Sequence, residues 1–258
     1  MNIALNLSLA DNYKSPAQQA RVVTESWAQD NLYCAACDSI RVERTPNNTE
    51  GSDFYCGSCR SSYQLKASKS DFGARVVDGA YEAMLRSLRA KSSPHLLLLR
   101  YDVNSSCVRR LILIPRHFIS SSSIERRKPL ASHARRAGWI GCYINLERVP
   151  DDGKITLIDS GKVATRRLVR ERFGKTSDLS RLSFSARGWA LDVLTMIRGM
   201  RKMRFSLADV YSYEQVFKEK YPGNRHIRPK IRQQLQVLRD MGLVDFLGTG
   251  QYHLRYSA

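Results

Sequence analysis

The stretch "DFYCGSCRSSYQLK", residues 53–66, holds an acid (Asp53), a thiol pair (Cys56, Cys59) and a Gln-x-Lys ending (Gln64, Lys66). A second thiol pair, Cys34 and Cys37, lies upstream, and 18 residues separate the two pairs. That spacing falls in the range of four-thiolate zinc sites. Two such pairs close a tetrahedral shell around Zn²⁺ and leave no position for a substrate, so the expected role is structural. Cys107 and Cys142 are single and distant, which suits core packing. The amino terminus lacks the basic start, apolar run and small-residue cleavage site of a signal peptide. A cytoplasmic location is therefore expected, and the cysteines do not read as a secreted disulfide framework.

Side chains alternate along a strand, so Gln64 and Lys66 share one face of "SSYQLKAS" while Tyr63 and Leu65 turn to the core. A chain reversed at Cys56–Cys59 returns toward Asp53, so the metal knuckle staples the turn that joins acid to lysine. An acid, a neutral oxygen and a lysine on one strand suit metal-dependent phosphodiester hydrolysis. Asp53 would hold Mg²⁺, Gln64 would offer a side-chain oxygen, and Lys66 would orient water or stabilise developing charge. Polar strand faces are common in themselves, so this pattern is not specific alone.

The elements that must position these groups fall into two blocks. The chain has 258 residues, enough for two domains, with 43% apolar content to fill their cores. Its 42 Lys+Arg against 24 Asp+Glu give a net charge of +18, which points to a polyanionic partner, nucleic acid first. The basic residues are not gathered beside an apolar helix, and no run has the length of a membrane span. Helical spacing over 15–27, a strand at 61–68, a helix over 73–89, buried strands at 95–103 and 109–115, and a hairpin turned at Asp159-Ser160-Gly161 make up residues 1–183. From 184 to 258 the pattern becomes helices over 185–200, 206–221 and 226–241, the middle one opened by a Ser206–Asp209 capping pair. A hairpin turning at Gly248-Thr249-Gly250 follows, giving a winged helix. On the third helix Arg228, Arg232, Gln233, Gln236 and Arg239 lie off the inner stripe of Ile227, Ile231, Leu235 and Leu238. Arg reads guanine and Gln adenine in the major groove, though each can also hold phosphate.

In order along nearly the whole chain, "DFYC" (53–56), "LK" (65–66), "DGAY" (78–81), "RKPLA" (127–131), "ARRAGWIGC" (134–142), "SARGW" (185–189) and "IRQQLQVLRD" (231–240) resemble the DpnI-type methyl-directed restriction endonucleases. The resemblance implies an α+β or α/β fold: a PD-(D/E)xK nuclease domain with a zinc knuckle, followed by a winged helix. It implies Mg²⁺-dependent double-strand cleavage, a type II activity, at GATC sites carrying 6-methyladenine. It also implies that Trp139, in a basic loop with Arg135 and Arg136, sits against the adenine methyl groups. The family pattern has Glu where this chain has Gln64, and a neutral amide gives a metal less charge. Nucleases of the wider superfamily do use Gln-x-Lys.

The expected function is cleavage of methylated double-stranded DNA by a monomer. The alternative is a nuclease-derived zinc and winged-helix protein that binds methylated DNA without cutting. An RNA-binding zinc protein fits less well, because the stacking platforms for single strands are missing.

Overall fold

The computed structural model describes residues 1–46, 49 and 51–255. Helix α1 (Pro16–Asn31) starts with Pro16 in its first turn, where the missing N–H costs nothing, and buries Val23, Thr24, Trp27 and Ala28 along one stripe. Strands β1 (Glu43–Arg44), β2 (Phe54–Tyr55) and β3 (Ser62–Ser68) follow. Then come β4 (Arg75–Ala80), α2 (Tyr81–Arg89), β5 (His95–Asp102), β6 (Cys107–Ile114), β7 (Ile124–Arg126), β8 (Gly141–Asn145), β9 (Ile155–Asp159), β10 (Lys162–Val163) and α3 (Arg166–Lys175).

A seven-stranded sheet runs in the order β1-β2-β3-β5-β6-β9-β10, and β4-β8-β7 form a smaller antiparallel sheet. In the large sheet β3 and β5 run parallel, while the other neighbouring pairs are antiparallel. The fold is thus a mixed α+β arrangement. Leu97 and Leu99 of β5 pack on the α1 side with Trp27 and Tyr63. Leu96 and Leu98 pack on the other side with Leu85 and Leu88 of α2 and Val76 of β4. Covering both faces explains the unbroken apolar run "HLLLL".

The single helix expected over 73–89 is instead β4 followed by α2. Val76 and Asp78 are buried while Val77 is exposed, and β4 pairs with β8 through Val76↔Ile144 and Asp78↔Cys142. Over so short a window apolar spacing fits either element, and the partner strand decides. That partner lies in the stretch after Pro115 whose irregular sequence hid both β7 and β8.

The remaining elements are α4 (Phe184–Gly199), β11 (Arg204–Ser206), α5 (Leu207–Tyr211), α6 (Glu214–Lys220), α7 (Ile227–Asp240), β12 (Val244–Gly248) and β13 (Gln251–Leu254). The helix expected over 206–221 is divided into α5 and α6. Its start is as expected, since Ser206 and Asp209 cap each other reciprocally. The break follows at Ser212, whose hydroxyl donates to the Asp209 carbonyl and competes with the helical ladder. The wing turns through Gly248, Thr249 and Gly250, all at positive φ, and β11 pairs with β13 to complete a three-stranded sheet. Tyr256, at the end of the expected hairpin, lies outside the described residues.

The two blocks share one continuous core, in which Leu88 and Leu96 join Trp189, Leu191 and Leu238. Polar groups lock the seam. The Arg198 guanidinium forks onto Asp152 at 2.9 and 2.6 Å. Asp192 accepts from Ser122 at 2.7 Å, from the Tyr221 hydroxyl, and from Lys220 at 2.6 Å.

Two histidines are buried, both with their rings against Phe173. His95 Nδ1 accepts the Arg116 N–H at 3.0 Å, and His117 Nε2 bonds Thr176 at 2.9 Å. Burial pushes each ring down to about 3, helped by Arg116 and His117 at His95 and by Arg187 and Arg116 at His117. The unfolded chain therefore takes up protons below pH 6.5 that the folded chain refuses. The stabilisation is complete above about pH 6.5 and drains away as pH falls toward 3. At pH 5 each ring should cost roughly 2 kcal/mol. Urea unfolding at pH 7 and pH 5 should show this loss, and His117→Gln, which can still bond Thr176, should remove about half of it. Equal pH slopes for both proteins would contradict the assignment.

Candidate active site and metal centre

Strand β3 organises the site through its backbone as well as its side chains. The Asp53 N–H donates to the Tyr63 carbonyl at 2.9 Å, which sets the reversal from β2 into β3. The Asp53 Oδ2 then accepts the Leu65 N–H at 2.7 Å, between Gln64 and Lys66. Burial raises the Asp53 carboxyl above its usual range and Glu25 adds repulsion, against the favourable Leu65 N–H, Lys66 and Arg21. A carboxylate in that position gains from a further cation.

Gln64 and Lys66 project from the face opposite Tyr63, and both meet an acid that the sequence reading did not assign. Asp78 Oδ1 accepts from Gln64 Nε2 at 3.0 Å and from Lys66 Nζ at 2.8 Å, and Asp78 is only 7% exposed. The signal was the alternation in "RVVDGA", which places Asp78 on the buried face of a strand, and the helical reading of that segment concealed it. The three groups line a cleft of about 680 Å³ together with Gly79, Arg86 and Ser87. Asp53 is not part of this lining. It sits at the strand edge, docked on the backbone between the two face residues. Asp53 Oδ1 and Gln64 Oε1 accept no hydrogen bond among the described residues. One carboxylate and one amide oxygen, with the Asp78 carboxylate nearby, are hard oxygen donors of the kind that suit Mg²⁺.

The four cysteines come together as their spacing requires. Their sulfurs lie within 4.8 Å of one another, with Cys34–Cys59 at 3.5 Å and Cys37–Cys56 at 3.6 Å. Four ligands at zinc–sulfur bond length stand about 3.8 Å apart, so the shell is close to the right size. Burial works against a charged Cys56, but N–H groups of Cys59 and Ser58 and the thiols of Cys37 and Cys34 outweigh it and draw it down to about 6. The knuckle is tied to the fold from both sides. Tyr63 Oη lies 3.2 Å from Cys34 Sγ, and Arg170 of α3 donates to the carbonyls of Cys34 and Ser39.

The loop from Arg127 to Ile140 joins β7 to β8. Trp139 is half-buried, and its ring closes so tightly on Gly141 that a Cβ there would lie 2.8 Å from it. Arg136 stacks 4.8 Å above the ring, and Arg135 is exposed. Because Gly141 pairs with Ala80, two residues past Asp78, this loop springs from the edge of the cleft.

On α7, Arg228, Arg232, Gln233, Gln236 and Arg239 are all exposed. They are not equally free. Arg228 is paired with Glu214 at 2.6 Å and lies over Tyr211, Arg239 is held by Asp240, and Gln233 accepts from Lys230. Arg232 and Gln236 make no hydrogen bond or ion pair among the described residues.

The family model described as the Dam-replacing family, DpnI, matches residues 1–182, and that of the Dam-replacing HTH domain matches residues 185–254. The chain belongs to this DpnI family, with its mixed α+β amino-terminal unit and winged helix.

Removing the knuckle metal should loosen the β2–β3 reversal on which Asp53 depends. Cys56→Ser should abolish stoichiometric zinc, measured by atomic emission, and lower the melting temperature by about 10 °C. A variant that kept full thermal stability without zinc would contradict a structural role.

Proposed function

We propose that the protein is a Mg²⁺-dependent endonuclease that makes double-strand breaks at GATC sites carrying 6-methyladenine. In this reading residues 1–183 cut and residues 184–258 form a winged helix that reads the duplex. The observation that carries it is the arrangement on β3: Lys66 and Gln64 share Asp78 while Asp53 is docked between them. An exposed polar strand face would not need a buried acid to gather its lysine and its amide. Asp53 Oδ1 and Gln64 Oε1 would hold the ion, which supplies Lewis acidity at the scissile phosphate and lowers the pKa of bound water. Lys66, fixed by Asp78 and still a quarter exposed, would place its ammonium against the developing negative charge. The structural ion is zinc, bound by Cys34, Cys37, Cys56 and Cys59.

Methyl recognition falls to the loop at the cleft edge. The Trp139 ring gives an apolar surface, and Arg136 and Arg135 give charge for the backbone. One buried methyl contributes only about 0.8 kcal/mol, so a second reader is needed for strong selectivity. The net charge of +18 supplies the sequence-independent part of the affinity. On α7 Arg232 and Gln236 are the base readers best placed to act, because no neighbour competes for them. Gln233 and Arg239 are partly engaged, and Arg228 must first leave Glu214. The protein acts as a monomer in the cytoplasm.

Two measurements test this. Methylated plasmid should be cut to a set of fragments ending at GATC with Mg²⁺ and left intact with chelator, and unmethylated plasmid should be left intact in both. Lys66→Ala should abolish cutting while affinity for methylated duplex stays within about twofold, because the lysine serves the transition state. Methyl-specific binding without any cutting by the native protein would instead make it a nuclease-derived reader. For the winged helix, Arg232→Ala should weaken duplex binding about tenfold and Arg228→Ala much less. The reverse order would refute the assignment of roles on α7.

A further inference from the structure

A glutamine at a metal-binding position poses a problem that a glutamate does not. A carboxylate presents an oxygen whichever way it turns, whereas an amide presents oxygen on one side and an N–H₂ group, useless to a cation, on the other. Something must decide which end faces the ion.

We propose that Asp78 is a positioning residue that fixes the Gln64 amide with its oxygen toward the metal position. This rests on the metal-dependent nuclease reading. An ionised carboxylate only accepts hydrogen bonds, so it can be satisfied by Gln64 Nε2 and never by Oε1. The 3.0 Å bond from Nε2 to Asp78 Oδ1 therefore commits the nitrogen inward and leaves Oε1 as the free end. The same oxygen receives Lys66 Nζ at 2.8 Å. This second bond also keeps the ammonium away from Gln64. Without Asp78 the lysine, two residues along the same strand face, has Gln64 Oε1 as an alternative acceptor and would occupy the oxygen the ion needs. Asp78 is suited to the task by its own support: it is 7% exposed, on β4, paired in register with Cys142 of β8. Its charge-assisted bonds are shielded from water and keep one geometry.

The idea makes the importance of Asp78 depend on what stands at position 64. A double-mutant cycle isolates that dependence. The readout is Mn²⁺ binding to the full-length, zinc-loaded protein, followed by the electron paramagnetic resonance of free Mn²⁺. In the native Gln64 background, Asp78→Ala should weaken Mn²⁺ binding about tenfold, the size of one charge-assisted hydrogen bond. In the Gln64→Glu background the same change should cost about threefold or less, because a glutamate has no wrong way round. Asp78→Asn, whose amide can turn its own N–H₂ toward Gln64 Oε1, should weaken binding about as much as Asp78→Ala in the Gln64 background. Equal losses in both backgrounds, including losses caused by unfolding, would make Asp78 a fold-stabilising residue and overturn the proposal. Asp78→Asn binding Mn²⁺ as well as native in the Gln64 background would also overturn it, since an acceptor-only side chain would then not be what sets the amide. No Mn²⁺ binding by any of the proteins beyond the zinc site would reject the metal-dependent reading itself.

Discussion

Strand β3 is used on three sides at once, and the rest of the site depends on it. Its edge gives the Leu65 N–H to Asp53, its outer face gives Gln64 and Lys66 to Asp78, and its inner face gives Tyr63 to the cysteine knuckle. One extended segment can do this because successive side chains alternate while its backbone groups lie in the plane of the sheet. A slip of one residue in the β2–β3 pairing would turn Gln64 and Lys66 into the core and Tyr63 out of it. The knuckle prevents that slip. With Cys56 and Cys59 it closes the turn beyond the pairs Phe54↔Tyr63 and Tyr55↔Ser62, where two residue pairs alone would be weak.

The seam between the amino-terminal unit and the winged helix has the character of a core. Leu88 and Leu96 of the first unit share a core with Trp189, Leu191 and Leu238 of the second, and α4, which carries Trp189, also reaches back to Ser122 and Asp152. Buried ion pairs add little net stability compared with apolar packing, but breaking one partner is costly, so such contacts set geometry. A fixed seam holds α7 at a constant distance and angle from the cleft. In the proposed reading, two readers held this way would meet DNA in a single register.

The sequence disclosed those parts of the site whose spacing is imposed by bond geometry. Two thiol pairs 18 residues apart have few other uses, and Gln64 and Lys66 share a face because strands repeat every two residues. Helix α7 was equally legible, since Ile227, Ile231, Leu235 and Leu238 form an inner stripe and all four are buried. Asp78 was not legible. Its segment satisfies a helical stripe as well as a strand, and the decisive partner β8 lies more than sixty residues away, as Cys142 does from Asp78. The tie between Arg228 and Glu214 was hidden in the same way, because it joins two helices whose relative placement no local pattern records. What the sequence withheld in each case is a tertiary contact between elements.

The central claim is that Asp53 and Gln64 hold one catalytic ion beside Lys66. Anomalous diffraction from Mn²⁺ in crystals of the protein with a methylated GATC duplex tests it most directly. The account predicts a single Mn²⁺ peak between Asp53 Oδ1 and the Gln64 amide oxygen, with the scissile phosphate alongside and zinc alone at the four cysteines. Density showing Mn²⁺ away from β3, or the Gln64 nitrogen turned toward the duplex with no ion beside Asp53, would contradict it.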